Sequence, residues 1–263
     1  MRRPLLRLTP QKLTDQKLII GASSRPRSAN VRDRLAVLQE LAPIRARRLV
    51  DLGGGEGSYT LELVEAAPEA QVVLIDLSAS AVSVAKQRLR EKCHSVEFLV
   101  SAGEALPVRD NAFDAGLLIE VLDHVDDPVA TVQEAARVLA PGGVLYVTVP
   151  NRWFPFETHP LRVGRALVKP WVFPFLPWVA PLHRRMATAR VFGTRDLGRL
   201  AAAAGLQVLG IRPLMPPLER LPRLRRVVRW LSHTPVRAFG VSLCAALQKP
   251  ARKEPKLTQD GSA

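Results

Sequence analysis

Two spacings of apolar residues alternate along this chain. Between residues 29 and 41 they fall at Val31, Leu35, Val37, Leu38 and Leu41 among charges, the period of an amphipathic helix. Arg48–Leu52 is a short apolar run stopped by Gly53-Gly54-Gly55, and residues 58–67 then have helical composition up to Pro68. The alternation repeats, with a buried strand at Gln71–Asp76, Ser78 as N-cap for a helix over 79–91, and a strand at Val96–Val100. A strand at Phe113–Ile119 follows, then a helix opened by Asp127-Pro128 that runs to 139, a turn at Pro141-Gly142-Gly143, and a strand at 144–149. Short apolar runs alternating with helices predict an α/β fold, a doubly wound and mostly parallel sheet covered on both faces. After Pro150 the rhythm fails: residues 151–190 are rich in Pro, Trp, Phe and Arg without a steady period. Regularity returns with a helix over 194–204, a strand over 206–211 and a last strand near 241–247.

This pattern divides the chain into a basic arm and helix (1–47), an α/β core (48–150), a Pro/aromatic insertion (151–193) and a C-terminal completion of the sheet (194–249). The last of these carries an amphipathic basic stretch at 216–238, and a polar tail at 250–263 is expected to be mobile. In that basic stretch Leu224, Val227, Val228 and Leu231 share one helical face, beside Arg223, Arg225, Arg226 and Arg229. The most apolar segment, Trp171 to Leu182, is too short for the ~20 residues that span a bilayer and is broken by Pro174, Pro177 and Pro181. Its Trp171–Trp178 part is too apolar to hang in water, so it is expected to cover a pocket, touch a membrane or pack as core.

Charge adds a second division. Residues 1–48 hold 12 basic and 3 acidic side chains, 49–150 hold 6 and 16, and 151–263 hold 20 and 5. An acidic middle suits a cationic ligand, while basic arms suit phospholipid, a phosphorylated substrate or nucleic acid. Cys93 and Cys244 share no paired spacing, which excludes a disulfide framework or zinc knuckle. Arg7, Lys12, Asp15 and Lys17 interrupt any apolar stretch of signal-peptide type near the start, so a cytoplasmic protein is expected, with peripheral contact at the inner membrane face as an extension.

The chemistry is concentrated at Asp51-Leu52-Gly53-Gly54-Gly55-Glu56-Gly57. Lacking β-carbons, Gly53, Gly55 and Gly57 let the turn take positive φ and let a nucleoside lie against the main chain at the carboxyl edge of the sheet. A dinucleotide fingerprint would require glycine at Ser58 or Glu56, which weakens a hydride-transfer reading. Asp76, ending the second strand, can accept hydrogen bonds from both hydroxyls of a ribose, though a strand-terminal Asp also serves as a helix cap.

With these motifs the chain resembles the class I S-adenosylmethionine-dependent methyltransferases, in the type-11 group that includes quinone-biosynthesis enzymes. The resemblance runs through L-V-D-L-G-G-G-E-G, V-V-L-I-D-L-S, E-A-L-P-V-R-D-N-A-F-D, E-V-L-D-H-V-D-D-P and A-R-V-L-A-P-G-G-V-L, in that order. It implies a Rossmann-like sheet of seven strands with the last antiparallel and a C-terminal insertion, S-adenosyl-L-methionine as cofactor, and an acceptor pocket built from later loops. Carried over by position, Asp51 and the glycines hold the methionine end, Asp76 the ribose and Leu77 one face of the adenine. Where the family commonly has Gly-Asp this chain has Ser101-Ala102, so main chain near Ala102 and Gly103 is expected to serve the adenine. Glu120 completes the expected cofactor set.

Methyl transfer needs orientation and exclusion of water, plus a base when the acceptor is a hydroxyl or an acidic carbon. His124, Glu157 and His159, which follow the fourth and fifth strands, are the candidates for that base. Glu120, Asp123 and His124 have donor chemistry suited to a divalent ion, but helix caps and solvated loops account for acids here and no metal is expected. The acceptor is read as a small lipophilic or lipid-linked molecule methylated on O, N or C. Nucleic-acid methylation is the alternative partner reading, and a non-catalytic cofactor-binding protein the alternative of another class.

Overall fold

The computed structural model describes residues 29–90, 96–170, 172–215, 230 and 233–251. The 1–28 arm, most of the 216–238 stretch and the tail from 252 lie outside the described residues. Helices α1 (Ala29–Leu41), α2 (Ser58–Ala66), α3 (Ala79–Arg90) and α4 (Pro128–Val138) alternate with strands β1 (Arg48–Leu52), β2 (Gln71–Asp76), β3 (Val96–Val100), β4 (Phe113–Ile119) and β5 (Leu139–Pro150). A hairpin of β6 (Leu161–Val163) and β7 (Ala166–Val168), a helical turn at Leu176–Trp178 and α5 (Ala180–Met186) follow. Then come α6 (Thr194–Ala203), β8 (Gln207–Leu214) and β9 (Ser242–Gln248).

Seven strands form one sheet in the order β3-β2-β1-β4-β5-β9-β8. The first five are mutually parallel, and β9 runs antiparallel to both β5 and β8. The order reverses between β1 and β4, so the carboxyl ends of these two strands open the crevice where α/β sheets bind ligands. On one face α4 and α6 pack Val132, Ala135, Leu197 and Leu200 onto Leu118, Leu145 and Val147. On the other, α1 and α2 bring Val31, Leu35, Leu38 and Leu63 against Leu117, Ile119, Tyr146 and Cys244. The Tyr146 hydroxyl donates to the Ala42 and Pro43 carbonyls at 3.2 and 3.1 Å, tying β5 to the chain leaving α1.

Local signals behave as their chemistry dictates. Asp127 caps α4, its Oδ1 accepting from the amides of Val129 (2.9 Å) and Ala130 (3.1 Å), with Pro128 in the first turn where no amide is needed. Two expectations are corrected. The turn at Pro141-Gly142-Gly143 lies inside β5, which begins at Leu139; the pairing with β4 shifts register between Phe113 and Ala115, where β5 carries three more residues than β4, and Gly142 within that stretch takes φ 83°. The 151–190 insertion is not irregular throughout, since it forms the β6–β7 hairpin and α5, elements too short for a periodic signal.

Candidate active site

The loop after β1 is held from below. The Gly53 and Gly54 amides donate to the Ile75 carbonyl at 2.7 and 3.2 Å, so the turn rests on the end of β2. Gly53, Gly55 and Gly57 take φ of 71°, 54° and 76°, the left-handed region where a β-carbon is costly. Gly53 carries a steric demand as well: a β-carbon there would stand 2.4 Å from Val121 Cγ2. At Gly55 nothing lies within 4 Å of that position, so its surface is open to a ligand. Gly54, not singled out from sequence, is needed for packing, because its β-carbon would meet Leu74 at 2.7 Å and Asp51 at 3.0 Å.

Asp51 is buried beneath this loop, its Oδ2 accepting from Thr60 Oγ1 at 2.6 Å. Burial pushes its pKa up to about 6, despite the Thr60 bond and with a further push from Asp76. Its visible work is therefore to brace the loop against α2. Asp76 does two things at once: Oδ2 accepts from the Gly55 amide at 2.9 Å and Oδ1 from the Ser78 amide at 2.8 Å, opening α3. Each carboxylate oxygen has a further lone pair, so the side chain can serve ribose hydroxyls while holding the loop. Leu77 beside it is half exposed. The Ser101 amide donates to the Asp76 carbonyl at 3.1 Å and brings Ala102 and Gly103 onto the same shelf. These features fit an adenine nucleoside: bare backbone, a strand-end carboxylate with lone pairs to spare and an exposed leucine.

A second group lies at the carboxyl end of β4, in direct contact with the first through Val121 and Gly53. Glu120 takes φ 54°, and its Oε1 receives Arg34 Nη1 at 2.9 Å and the hydroxyls of Thr148 and Ser242, both at 3.1 Å. Arg34 reaches from α1 and is itself buried, with Nη2 donating to Ser242 at 3.1 Å. Glu120, read as a cofactor contact, is thus also the anchor that fastens α1 to the site. Arg34→Ala strands that carboxylate and is expected to lower unfolding free energy by ~3 kcal/mol in urea denaturation, with Arg34→Met/Glu120→Gln regaining most of it.

The three candidate bases come together although 33 residues or more separate His124 from the other two. The rings of His124 and His159 meet edge to face at 5.0 Å. Between them is Asp123, its carboxylate fully buried and neither oxygen making a hydrogen bond, with His124 Nε2 at 3.2 Å and His159 Nε2 at 3.6 Å from Oδ2. Glu157 binds His183 Nε2 at 2.6 Å through Oε2, while Oε1 accepts from the Thr158 and His159 amides at 2.9 and 3.2 Å and stands 3.7 Å from His159 Nδ1. Burial lowers the His124 pKa to about 4, with His159 adding repulsion. Burial works against a charged His159 too, but Glu157, Asp123 and Glu120 outweigh it and its pKa is raised. Glu157 resists the upward push of burial through the histidines and is held at about 2. Ligand-capable atoms of Asp123, His124 and His159 all lie within 4.8 Å of one another, a different trio from the one weighed on sequence. Nothing in the sequence around His183 pointed to the site, because it sits on a short helix in the aperiodic insertion.

The sheet order and the shelf at its carboxyl edge define a class I methyltransferase fold. Residues 50–147 match the methyltransferase domain family. The chain is 31% identical over 177 residues to the ubiquinone biosynthesis O-methyltransferase of Nitrosospira multiformis, covering 66% of this chain and 69% of that one. It is 36% identical over 114 residues to the ubiquinone/menaquinone biosynthesis C-methyltransferase of Dinoroseobacter shibae, spanning 43% of this chain and 46% of that relative's length. Among solved structures, the cyclase SpnF superposes with a TM-score of 0.60 at 21% identity, covering 88% of this chain and 86% of its own, and so shares the fold. An S-adenosylmethionine-dependent methyltransferase from Thermotoga maritima gives 0.55 at 21% identity over 84% and 89%. The chain belongs to the class I S-adenosylmethionine-dependent methyltransferases, in the type-11 branch with the quinone-biosynthesis enzymes.

Proposed function

We propose that this chain transfers the methyl group of S-adenosylmethionine to a lipophilic acceptor carrying an acidic hydroxyl or ring carbon, with His124 as the base. The observation that supports it is the close approach of Val121 to Gly53, together with the Val121 carbonyl accepting from the His124 amide at 2.9 Å, so that the glycine turn and His124 share one edge of the sheet. Bound there, the cofactor supplies an electrophilic methyl group. The chain's own residues supply the rest: the glycines and Asp76 orient the nucleoside, and the insertion covers the polar cluster so that water is largely excluded. Of the three candidates, His124 suits the base best, being uncharged at neutral pH and, with 28% of its side chain exposed, reachable. Glu157 is enclosed and engaged with His183, and His159 is held toward its charged form, so both support the base without taking its place.

The lipophilic character of the acceptor is supported by the relatives' names and by the insertion's surface. Phe173, Phe175, Trp178, Val179 and Leu182 are exposed together, and Trp178 reaches Phe239 at a ring separation of 6.1 Å. Arg162, Arg165, Lys169, Arg184 and Arg185 on the same insertion are also exposed, while its one acid, Glu157, is buried. An apolar patch framed by cations suits an anionic bilayer surface better than RNA, whose recognition asks for aromatics on a strand or basic groove. No helix among the described residues is long and apolar enough to cross a membrane, so such contact would be peripheral. The protein is expected to float with phosphatidylglycerol vesicles at low salt, to be released as salt rises, and to ignore phosphatidylcholine vesicles. Salt-dependent binding to mixed tRNA without vesicle binding overturns the lipid reading. Activity is tested with radiolabelled cofactor and two acceptors in vesicles, a prenylated catechol and reduced demethylmenaquinone; label in either lipid product supports the proposal.

A further inference from the structure

Asp123 is the unexplained group of this site. A carboxylate with no exposed surface and no hydrogen bond is expensive, and proteins seldom keep one without a use. Among the described residues no arginine hydrogen-bonds it. Arg34 is matched with Glu120, and the Arg190 guanidinium bonds the Val125 and Asp126 carbonyls while its amide donates to the Asp123 carbonyl at 3.1 Å. What faces the carboxylate is a pair of imidazole nitrogens, His124 Nε2 at 3.2 Å and His159 Nε2 at 3.6 Å from Oδ2. Neither contact has the geometry of a hydrogen bond, yet both have the spacing of ligands around a shared ion. Bonds of about 2.0–2.2 Å to a tetrahedral zinc place neighbouring ligand atoms about 3.3–3.6 Å apart. One ligand-capable atom from each of the three residues lies within 4.8 Å of the others, so a small movement of one ring closes the set.

We propose that Asp123, His124 and His159 form a binding site for a divalent cation of the zinc class. One carboxylate and two imidazoles make a borderline-soft donor set, suited to zinc, cobalt(II) or iron(II) and poor for magnesium, which prefers oxygen ligands. The shell behind the ligands is built as well. His159 turns Nε2 toward Asp123 while its Nδ1 faces the Thr158 hydroxyl at 3.2 Å and Glu157 Oε1 at 3.7 Å, and Glu157 is fixed in turn by His183 at 2.6 Å. A carboxylate behind a histidine in this way selects the nitrogen offered to the metal. His124, with 28% of its side chain exposed, provides the way in to a carboxylate that has no exposure of its own. On binding, His159 gives up any second proton to water, and the charge of the cation takes that proton's place opposite Asp123 and Glu157. The consequence for turnover rests on the methyltransferase reading above. A ring bound to a cation through Nε2 keeps its one proton on Nδ1 and accepts no other, so an occupied site takes His124 out of service as the base.

The test is cobalt(II) titration of the full chain after dialysis against a chelator, followed by visible absorption, with zinc then added in competition. The native protein is expected to bind a single equivalent of cobalt, which zinc displaces. His159→Gln and Asp123→Asn should each weaken binding by more than about 100-fold, and Glu157→Gln, which leaves all three ligands in place, by about 10- to 100-fold. Melting curves and calorimetric affinity for S-adenosylhomocysteine are recorded on each variant, and the two ligand variants lie on different elements, so a folding failure in one leaves the other to decide. No cobalt band, a band of equal affinity in the ligand variants, or binding of magnesium in preference to zinc overturns the proposal. Turnover separates the site from the base assignment. With the prenylated catechol as acceptor, an equivalent of zinc should abolish native activity; cation binding that leaves activity unchanged or raises it keeps the site and overturns His124 as the base. Failure of S-adenosylhomocysteine to bind sinks the methyltransferase reading, while the cobalt titration still decides whether the three residues hold a cation.

Discussion

Asp76→Ala is expected to weaken S-adenosylhomocysteine binding at least 100-fold in calorimetry. Two losses combine. Ribose hydroxyls lose a charged acceptor, where each such bond contributes ~1.5–3 kcal/mol and 1.4 kcal/mol is a tenfold change in affinity. The Gly55 amide also loses the Oδ2 contact that fixes the glycine turn, and Ser78 loses the Oδ1 contact that opens α3. Loss of that cap costs ~1 kcal/mol of stability, so the melting curve must be recorded beside the binding isotherm. Asp76→Asn retains one carbonyl oxygen and should fall between. Gly53→Ala gives an internal comparison: it meets both an unfavourable φ of 71° and Val121 at 2.4 Å, whereas Gly55→Ala meets only the former. The first should therefore damage binding more than the second. Unchanged affinity in Asp76→Ala would remove the basis for placing a ribose there.

The strand-helix alternation from residue 48 to 138 was legible because its elements are long enough to repeat a period and carry caps, as Asp127-Pro128 shows. The glycine turn was legible for the same reason, since Gly53, Gly55 and Gly57, all at positive φ, express a backbone need in residue type. Gly54 shows the limit, because its constraint comes from Leu74 and Asp51, a contact that no local pattern encodes. The base cluster was visible only as separate candidates. His124 and His159 are drawn together by the β4 edge and by an insertion whose three-residue strands and seven-residue helix fall below any period. His183 and the bare Asp123 carboxylate acquire meaning only from that folding. Glu120 was assigned on position alone, and its pairing with Arg34, 86 residues upstream, could not be read from spacing.

His124→Ala should lower kcat by about 100- to 10,000-fold with the prenylated catechol, leaving S-adenosylhomocysteine affinity within threefold, because general-base removal acts on the transition state and not on the nucleoside shelf. The substitution also carries a stability signature whose sign can be worked out. Burial and Glu120 push the Asp123 pKa up to about 7 from the ordinary 3.8, so its contribution favours folding fully below 3.8 and is lost as pH rises through 7. A protein carrying Asp123→Asn is relieved of that loss and should be the more stable of the two at pH 8. His124→Ala keeps the carboxylate, so its stability should still decline between pH 5 and 8. Denaturant midpoints across that window separate the roles: a pH slope in His124→Ala that vanishes in His124→Ala/Asp123→Asn locates the titrating group at Asp123. If His124→Ala leaves kcat within a few-fold of native, the acceptor loses its proton without this ring, and the cluster is then an element of the insertion's packing instead of its chemistry.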